Sequence, residues 1–71
     1  MSYITCPGKL LWPELLGVDG GVAAAVIERE NPRVNAIVLS ERTGFPSDFR
    51  CDRVIIWVGN QGRVVRVPQV A

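Results

Sequence analysis

The sequence contains no histidine and only two cysteines, which excludes most catalytic and metal-binding chemistry. Without histidine, neither a Ser-His-Asp triad nor a Cys-His pair can form, and imidazole-based zinc or iron sites are excluded too. Cys6 and Cys51 stand 45 positions apart, so they form no CxxC redox pair, and two thiols are too few for a four-cysteine metal site. The sequence therefore favours a binding protein over an enzyme and predicts no cofactor and no metal.

A basic stripe and a long apolar run are missing as well. The formal net charge is +1, and the eight cations are scattered along the chain, unlike the clustered cations of nucleic-acid-binding surfaces. No apolar run approaches the roughly 20 residues of a membrane helix. The N-terminus also lacks the basic region and apolar core of a signal peptide. We therefore expect neither a nucleic acid nor a membrane as a partner.

The residues that are present are typical of one small globular domain over residues 1–71, with 48% apolar and 21% charged residues. A helix is predicted to begin at Asp19 or Gly20, because the Asp19 carboxylate can accept a free backbone N–H. It should end near Glu30, since Asn31 precedes Pro32 and the residue before proline avoids helical angles. Apolar residues in this span and just before it recur at helical spacing: Val18, Val22, Ala23, Val26 and Ile27.

Three apolar runs predict strands at residues 36–39, 54–58 and 64–67. Trp12 and Trp57 both lie in apolar stretches, so both are expected in the core. One helix and several strands in so short a chain predict an α+β fold, a single helix packed on a small mixed β-sheet with a long exposed loop.

That loop, residues 40–50, is the most unusual segment, because hairpin connections usually have about 2–5 residues. The ring of Pro46 fixes its own φ at about −65° and pushes Phe45 toward an extended conformation. An extended exposed segment can pair with a protease groove or a sheet edge. An ordinary surface loop is the alternative that these residues alone leave open.

From Cys6 to Ala71 the sequence resembles the potato inhibitor I family. The residues that carry the resemblance are Trp12-Pro13-Glu14-Leu15 with Gly17, then Ile37-Val38-Leu39, Arg50-Cys51-Asp52-Arg53-Val54 and Val67-Pro68.

The resemblance implies a monomeric serine protease inhibitor with a role in plant defence. Its reactive loop would enter the protease active site like a substrate, with Ser47–Asp48 as the scissile bond. The protease-binding residues would be Gly44, Phe45, Pro46, Ser47, Asp48 and Phe49. The alternative is a non-inhibitory interaction or storage protein of the same fold, whose loop is cleaved as a substrate.

The resemblance also assigns supporting roles around the loop. Arg53 would hydrogen-bond to the loop, with Asp48 as an acceptor, and Arg50 would be a second loop support. For Asp52, a solvated acid at a strand start is at least as well founded as a role in the loop. Cys6 and Cys51 would form a disulfide, as in some plant members; two buried thiols in a reducing compartment are the alternative. An extracellular or vacuolar location would follow if the disulfide forms.

Four positions depart from the family pattern. Ile55 stands where many members carry a second supporting arginine, and Pro46 stands where many carry threonine. Arg42 replaces a glycine, while Gly44 stands where others have a bulkier residue. If position 42 needs a positive φ, Arg42 costs on the order of 1 kcal/mol.

Ser47, as the primary specificity residue, sets the expected order of target proteases. Serine suits small or permissive specificity pockets and offers neither a large apolar group nor a cation. We therefore expect elastase-like or subtilisin-like enzymes first, chymotrypsin next and trypsin last.

Overall fold

The computed structural model describes residues 6–44 and 48–71 and has the predicted α+β architecture. A short 3₁₀ turn at Pro13–Leu15 precedes the helix α1, Gly20–Glu30, and the strands are β1, Asn35–Ser40, β2, Arg53–Val58, and β3, Gln69–Val70. The sheet order is β1-β2-β3, with β1 parallel to β2 and β3 antiparallel to it. Within residues 6–44 and 48–71, no helix has the length and apolar character needed to cross a membrane.

The helix has the predicted bounds and the predicted cap. The Asp19 side chain accepts a hydrogen bond from the Val22 backbone N–H at 3.1 Å. Gly20 opens the helix because a Cβ at this position would lie 2.7 Å from Cγ1 of Val58, so only glycine allows this close approach to the sheet. Of the residues at helical spacing, Ala23 and Ile27 are buried, Val18 and Val26 are partly buried, and Val22 is exposed.

The core lies between α1 and one face of the sheet, as residue alternation along β2 requires. Trp12 and Ile27 are fully buried there, so the expectation for Trp12 is confirmed. The other members of this cluster are Leu15, Ala23, Val34, Val54, Ile56 and Val64. Trp57 is also buried, but it points to the opposite face of the sheet.

The prediction of a strand over residues 64–67 is wrong. Val64 makes only an isolated bridge with Val58, and the third strand comes after Pro68. The N-terminal segment decides this position: the Trp12 N–H donates to the Pro68 carbonyl at 3.0 Å, and the Val70 N–H donates to the Leu10 carbonyl at 3.1 Å. Pairing with β2 on one side and with the N-terminal segment on the other therefore determines the position of β3. The β propensity of the local valines does not determine it.

Parallel pairing of β1 and β2 explains the long loop between them. Ser40 lies opposite Val58 and Asn35 lies opposite Arg53, so the chain leaves β1 at one end of the sheet and must enter β2 at the other. A strand of six residues spans about 20 Å, a distance that no tight turn can cover.

Candidate functional site

The loop leaves β1 through a hydrogen-bonded turn. The Glu41 N–H donates to the Val58 carbonyl at 2.9 Å, which continues the ladder one residue beyond the strand. The Thr43 N–H then donates to the Ser40 carbonyl at 2.9 Å, and the Arg42 N–H donates to Oγ of Ser40 at 3.2 Å. These contacts fix the direction in which the loop departs.

Where the loop returns, Arg53 holds it. Nη2 of Arg53 donates to the main-chain oxygen of Asp48 at 2.8 Å and to its Oδ1 at 3.2 Å. The Arg53 side chain is only 15% exposed, whereas that of Asp48 is 63% exposed. A side chain anchored on β2 therefore fixes an exposed residue of the loop.

Arg53 is itself positioned by the last residue, a contact that we did not foresee. Nε of Arg53 donates to the main-chain oxygen of Ala71 at 3.0 Å, and the Ala71 N–H donates to the Arg53 carbonyl at 3.1 Å. The guanidinium is planar, so a bond at Nε also orients the Nη2 group. The two residues are 18 positions apart, so no local pattern in the sequence predicts this contact.

Arg50 pairs with Asp52 and not with any described residue of the loop. The pair is bidentate, with Nε–Oδ1 at 2.8 Å and Nη2–Oδ2 at 2.9 Å, and both side chains are about half exposed. Asp52 is therefore an ion-pair partner and not a lone solvated acid. Its carbonyl also accepts the Asn35 N–H at 2.8 Å. The pair thus stiffens the segment that joins the loop to the sheet.

The predicted disulfide is confirmed. Cys6 and Cys51 are bonded, with their Cα atoms 5.2 Å apart. The N-terminal side of this link is fixed by Asn31, whose buried Nδ2 donates to the carbonyl of Pro7 at 3.2 Å and to that of Lys9 at 3.0 Å. The base of the loop is thereby tied to the end of α1.

The ion pairs lower the pKa values of both carboxyls beside the loop. Hydrogen bonding from Arg53 lowers the pKa of Asp48 below its ordinary range, helped by a backbone hydrogen bond and by the charge of Arg53. Hydrogen bonding from Arg50 lowers the pKa of Asp52 in the same way. Both carboxylates are therefore charged acceptors at neutral pH.

The structure describes only some of the remaining predicted site residues. Phe45, Pro46 and Ser47 lie outside the described residues. Phe49 is 51% exposed, and Gly44 is exposed: apart from its chain neighbours, no described residue has an atom within 4 Å of a Cβ built on it.

The backbone strain considered for Arg42 is not found. Among the described residues only Gly8, Gly17 and Gly62 have a positive φ, so Arg42 carries no such cost. Within the described part of the chain, no cluster of three or more histidine, cysteine or acidic side chains could hold a metal ion.

Known proteins resemble this chain over nearly its whole length. A model of the potato inhibitor I family matches residues 5–71. The trypsin/subtilisin inhibitor of Amaranthus caudatus is 62% identical over 65 residues, which cover 92% of this chain and 94% of that protein. The inhibitor of trypsin and Hageman factor of Cucurbita maxima is 54% identical over 66 residues, which cover 93% of this chain and 97% of that protein.

A solved structure agrees with these matches. The crystal structure of bitter gourd trypsin inhibitor superposes with a TM-score of 0.91 at 50% identity, covering 96% of this chain and 100% of that one. The relatives are named as protease inhibitors and not as enzymes, which supports serine protease inhibition and does not favour the storage alternative. By sequence and by fold, the chain belongs to the potato inhibitor I family.

Proposed function

We propose that this chain inhibits serine proteases through residues 44–49, with Ser47–Asp48 as the reactive bond. The observation that carries the proposal is the contact between Arg53 and Asp48, in which a mostly buried guanidinium holds both the main-chain oxygen and the carboxylate of one exposed residue. A segment held in advance loses little conformational entropy when it enters a protease groove. Binding can then be tight without any catalytic group on this chain.

The same contacts account for inhibition without rapid turnover. When a protease cleaves Ser47–Asp48, its serine becomes acylated by the Ser47 carbonyl, and Asp48 gains a free amine. Arg53 would keep Asp48 in place, and the disulfide at Cys51 would keep the following segment attached to the fold. The new amine therefore stays near the acyl group, so resynthesis of the bond competes with release of the cut chain.

Ser47 supports a proposed order of targets. A large apolar side chain in the primary pocket of a protease contributes about 1.5–3 kcal/mol of burial that serine lacks. We therefore place elastase-like or subtilisin-like enzymes first, chymotrypsin next and trypsin last. Pro46 suits the first two classes, whereas Gly44 offers no side chain to a further subsite, which argues somewhat against the tightest subtilisin binding.

A role in plant defence fits the relatives. A protein from Solanum peruvianum named wound-induced proteinase inhibitor 1 is 46% identical over 66 residues, which cover 92% of this chain and 60% of that protein. We extend this role to the present chain as part of the same proposal.

The test is titration of pancreatic elastase, subtilisin, chymotrypsin and trypsin with the purified chain, together with mass spectrometry of the chain after long incubation. We expect stoichiometric inhibition of at least one of the first two enzymes, with most of the chain uncut. A matched control is Asn60→Ala in the exposed turn after β2, which should titrate like the wild type. Rapid, complete cleavage at Ser47–Asp48 without inhibition would show a substrate and contradict the proposal.

A further inference from the structure

Strand β1 forms an edge of the sheet. β2 separates β1 from β3, and the far side of β3 is covered by the N-terminal segment, where Leu11 bridges Gln69. Among residues 6–44 and 48–71, no strand pairs with β1 on its outer side. An edge of this kind presents backbone N–H and carbonyl groups with which a strand of another molecule can pair.

The sequence of β1 lacks the usual protection of an edge strand. Its six residues, Asn35-Ala36-Ile37-Val38-Leu39-Ser40, include no charged residue and no proline, two of the features that commonly block edge pairing. Ile37 is 39% exposed and Val38 is 42% exposed, and they lie on opposite faces of the sheet. A short, uncharged, apolar segment of this kind at an exposed edge is prone to self-association.

The ladder with β2 shows which backbone groups of β1 point outward. The N–H groups of Asn35 and Glu41 donate to carbonyls at the two ends of β2, at 2.8 and 2.9 Å. Successive residues of a strand direct their backbone groups to alternate sides. The backbone groups of Ala36, Val38 and Ser40 therefore point toward the outer edge.

The described chain occupies two of these outer groups itself. Oε2 of Glu28 accepts a hydrogen bond from the Ala36 N–H at 2.9 Å, and the Ser40 carbonyl accepts one from the Thr43 N–H at 2.9 Å. Glu28 is exposed and directly follows Ile27, which is buried beneath α1. The helix thus brings a carboxylate to the edge of a strand that has no charge of its own.

We propose that Glu28 protects the edge of β1 against pairing with a second copy of this chain. Identical edges pair about a twofold axis, so the two strands would be antiparallel. An axis at Val38 would place Val38 opposite its own copy and Ala36 opposite Ser40 of the second copy. The Ala36 N–H would then donate to that Ser40 carbonyl, so Glu28 must leave before the edges can pair. This inference does not depend on the proposed function, because no residue of the reactive loop takes part in it.

The test compares Glu28→Ala with Glu28→Gln, which keeps a side-chain oxygen as acceptor, and with the control Glu14→Ala. The control removes the same charge from the 3₁₀ turn. Alanine and glutamine both favour helices, so the two variants at position 28 should keep α1. Sedimentation equilibrium over a range of protein concentrations measures self-association, and amide hydrogen exchange measures the protection of individual N–H groups in β1.

The wild type and Glu14→Ala should sediment as monomers, whereas Glu28→Ala should form dimers. We expect its dimer dissociation constant to be lower than that of the wild type by about tenfold or more, because neither copy gives up a charge-assisted hydrogen bond on pairing. In dilute Glu28→Ala the Ala36 amide should exchange faster than in the wild type. At high concentration the amides of Ala36 and Val38 should both become protected. Glu28→Gln should remain mostly monomeric.

A second substitution tests whether the dimer forms through this edge. Val38→Lys, added to Glu28→Ala, would place two lysines opposite each other across the twofold axis, and like charges in that position destabilise strand pairing. The Val38 side chain is partly exposed, so the lysine amine can reach solvent, and the melting temperature verifies that the double variant is folded. The double variant should be monomeric.

Three results would overturn the inference. Glu28→Ala could stay monomeric wherever the wild type does, or Glu14→Ala could associate as strongly as Glu28→Ala. In the third, Val38→Lys would leave the association of Glu28→Ala unchanged, which would show that another surface or non-specific aggregation is responsible.

Discussion

The two faces of strand β2 are both well buried, but they are built from different chemistry. Val54 and Ile56 face α1 and pack only among apolar neighbours of the core. On the opposite face, here called the loop face because Arg53 on it contacts Asp48, Arg53 and Trp57 are held by charged groups at defined distances. Burial is non-directional, whereas hydrogen bonds and cation–π contacts need a fixed geometry. Changes on the helix face should therefore affect unfolding, and changes on the loop face should affect inhibition.

Removing the disulfide should give the largest effect, because the link contributes both to the stability of the fold and to the position of the loop. Replacing Cys6 and Cys51 together by serine opens a link across 45 residues. The chain-entropy account of such a link predicts that the free energy of unfolding falls by about 4 kcal/mol. Urea unfolding measures this loss, and inhibition should weaken too, since Cys51 lies at the base of the loop. A loss below about 1 kcal/mol, which is the effect of an ordinary substitution, would contradict the predicted stabilisation by the disulfide.

Substitution of Ser47 tests the loop alone, with no expected change in unfolding. Ser47→Arg should create trypsin inhibition, and Ser47→Leu should improve chymotrypsin inhibition by tenfold or more, about 1.4 kcal/mol. Both follow from filling a specificity pocket that serine leaves largely empty. The inhibition constants against the two enzymes are the measurement. If both variants keep every constant within about twofold of the wild type, under about 0.4 kcal/mol, Ser47 is not the contact residue.

Arg53→Ala should affect inhibition more than it affects stability. The variant loses a charge-assisted hydrogen bond to the loop, so inhibition should weaken by about tenfold, matching about 1.4 kcal/mol. Stability should fall less, because contacts with exposed charged partners contribute about 0–1 kcal/mol. Inhibition assays and thermal melts on the same preparation check both expectations. Arg53→Lys is the matched variant: it keeps the charge, loses the planar fork, and should recover only part of the inhibition.

A substitution on the helix face should lower stability and leave inhibition unchanged. Ile56→Val removes one buried methylene from the core and should lower the free energy of unfolding by about 1 kcal/mol. Inhibition below the unfolding transition should not change, because the side chain lies on the opposite face of the sheet from Arg53, which contacts Asp48. Denaturant unfolding and the inhibition constant measure the two quantities. A loss of inhibition with the fold intact would show that the two faces are coupled.

The sequence predicts best those features that depend on near neighbours in the chain. Asp19 caps the helix that it precedes, and the span from Ser40 to Arg53 is too long for a hairpin. The sequence does not predict the position of β3, because one of its two partners lies 58 residues earlier, at Leu11. The contact between Arg53 and Ala71 was missed for the same reason, since it joins the start of one strand to the end of another. Family resemblance supplied the disulfide and the loop support that periodicity alone does not contain.

The smallest effect concerns the charge on Asp48. Arg53 lowers its pKa, so the contact between them is present at neutral pH and is lost as the pH falls through that lowered value. In Arg53→Ala the pKa of Asp48 should rise toward the ordinary range, while that of Asp52 should hardly move, because Arg50 is the main cause of its lowering. Arg50→Ala should give the opposite pattern. Carboxyl chemical shifts recorded through an acid titration measure both groups at once. If Arg53→Ala leaves the pKa of Asp48 in place, the guanidinium does not hold the loop carboxylate in solution.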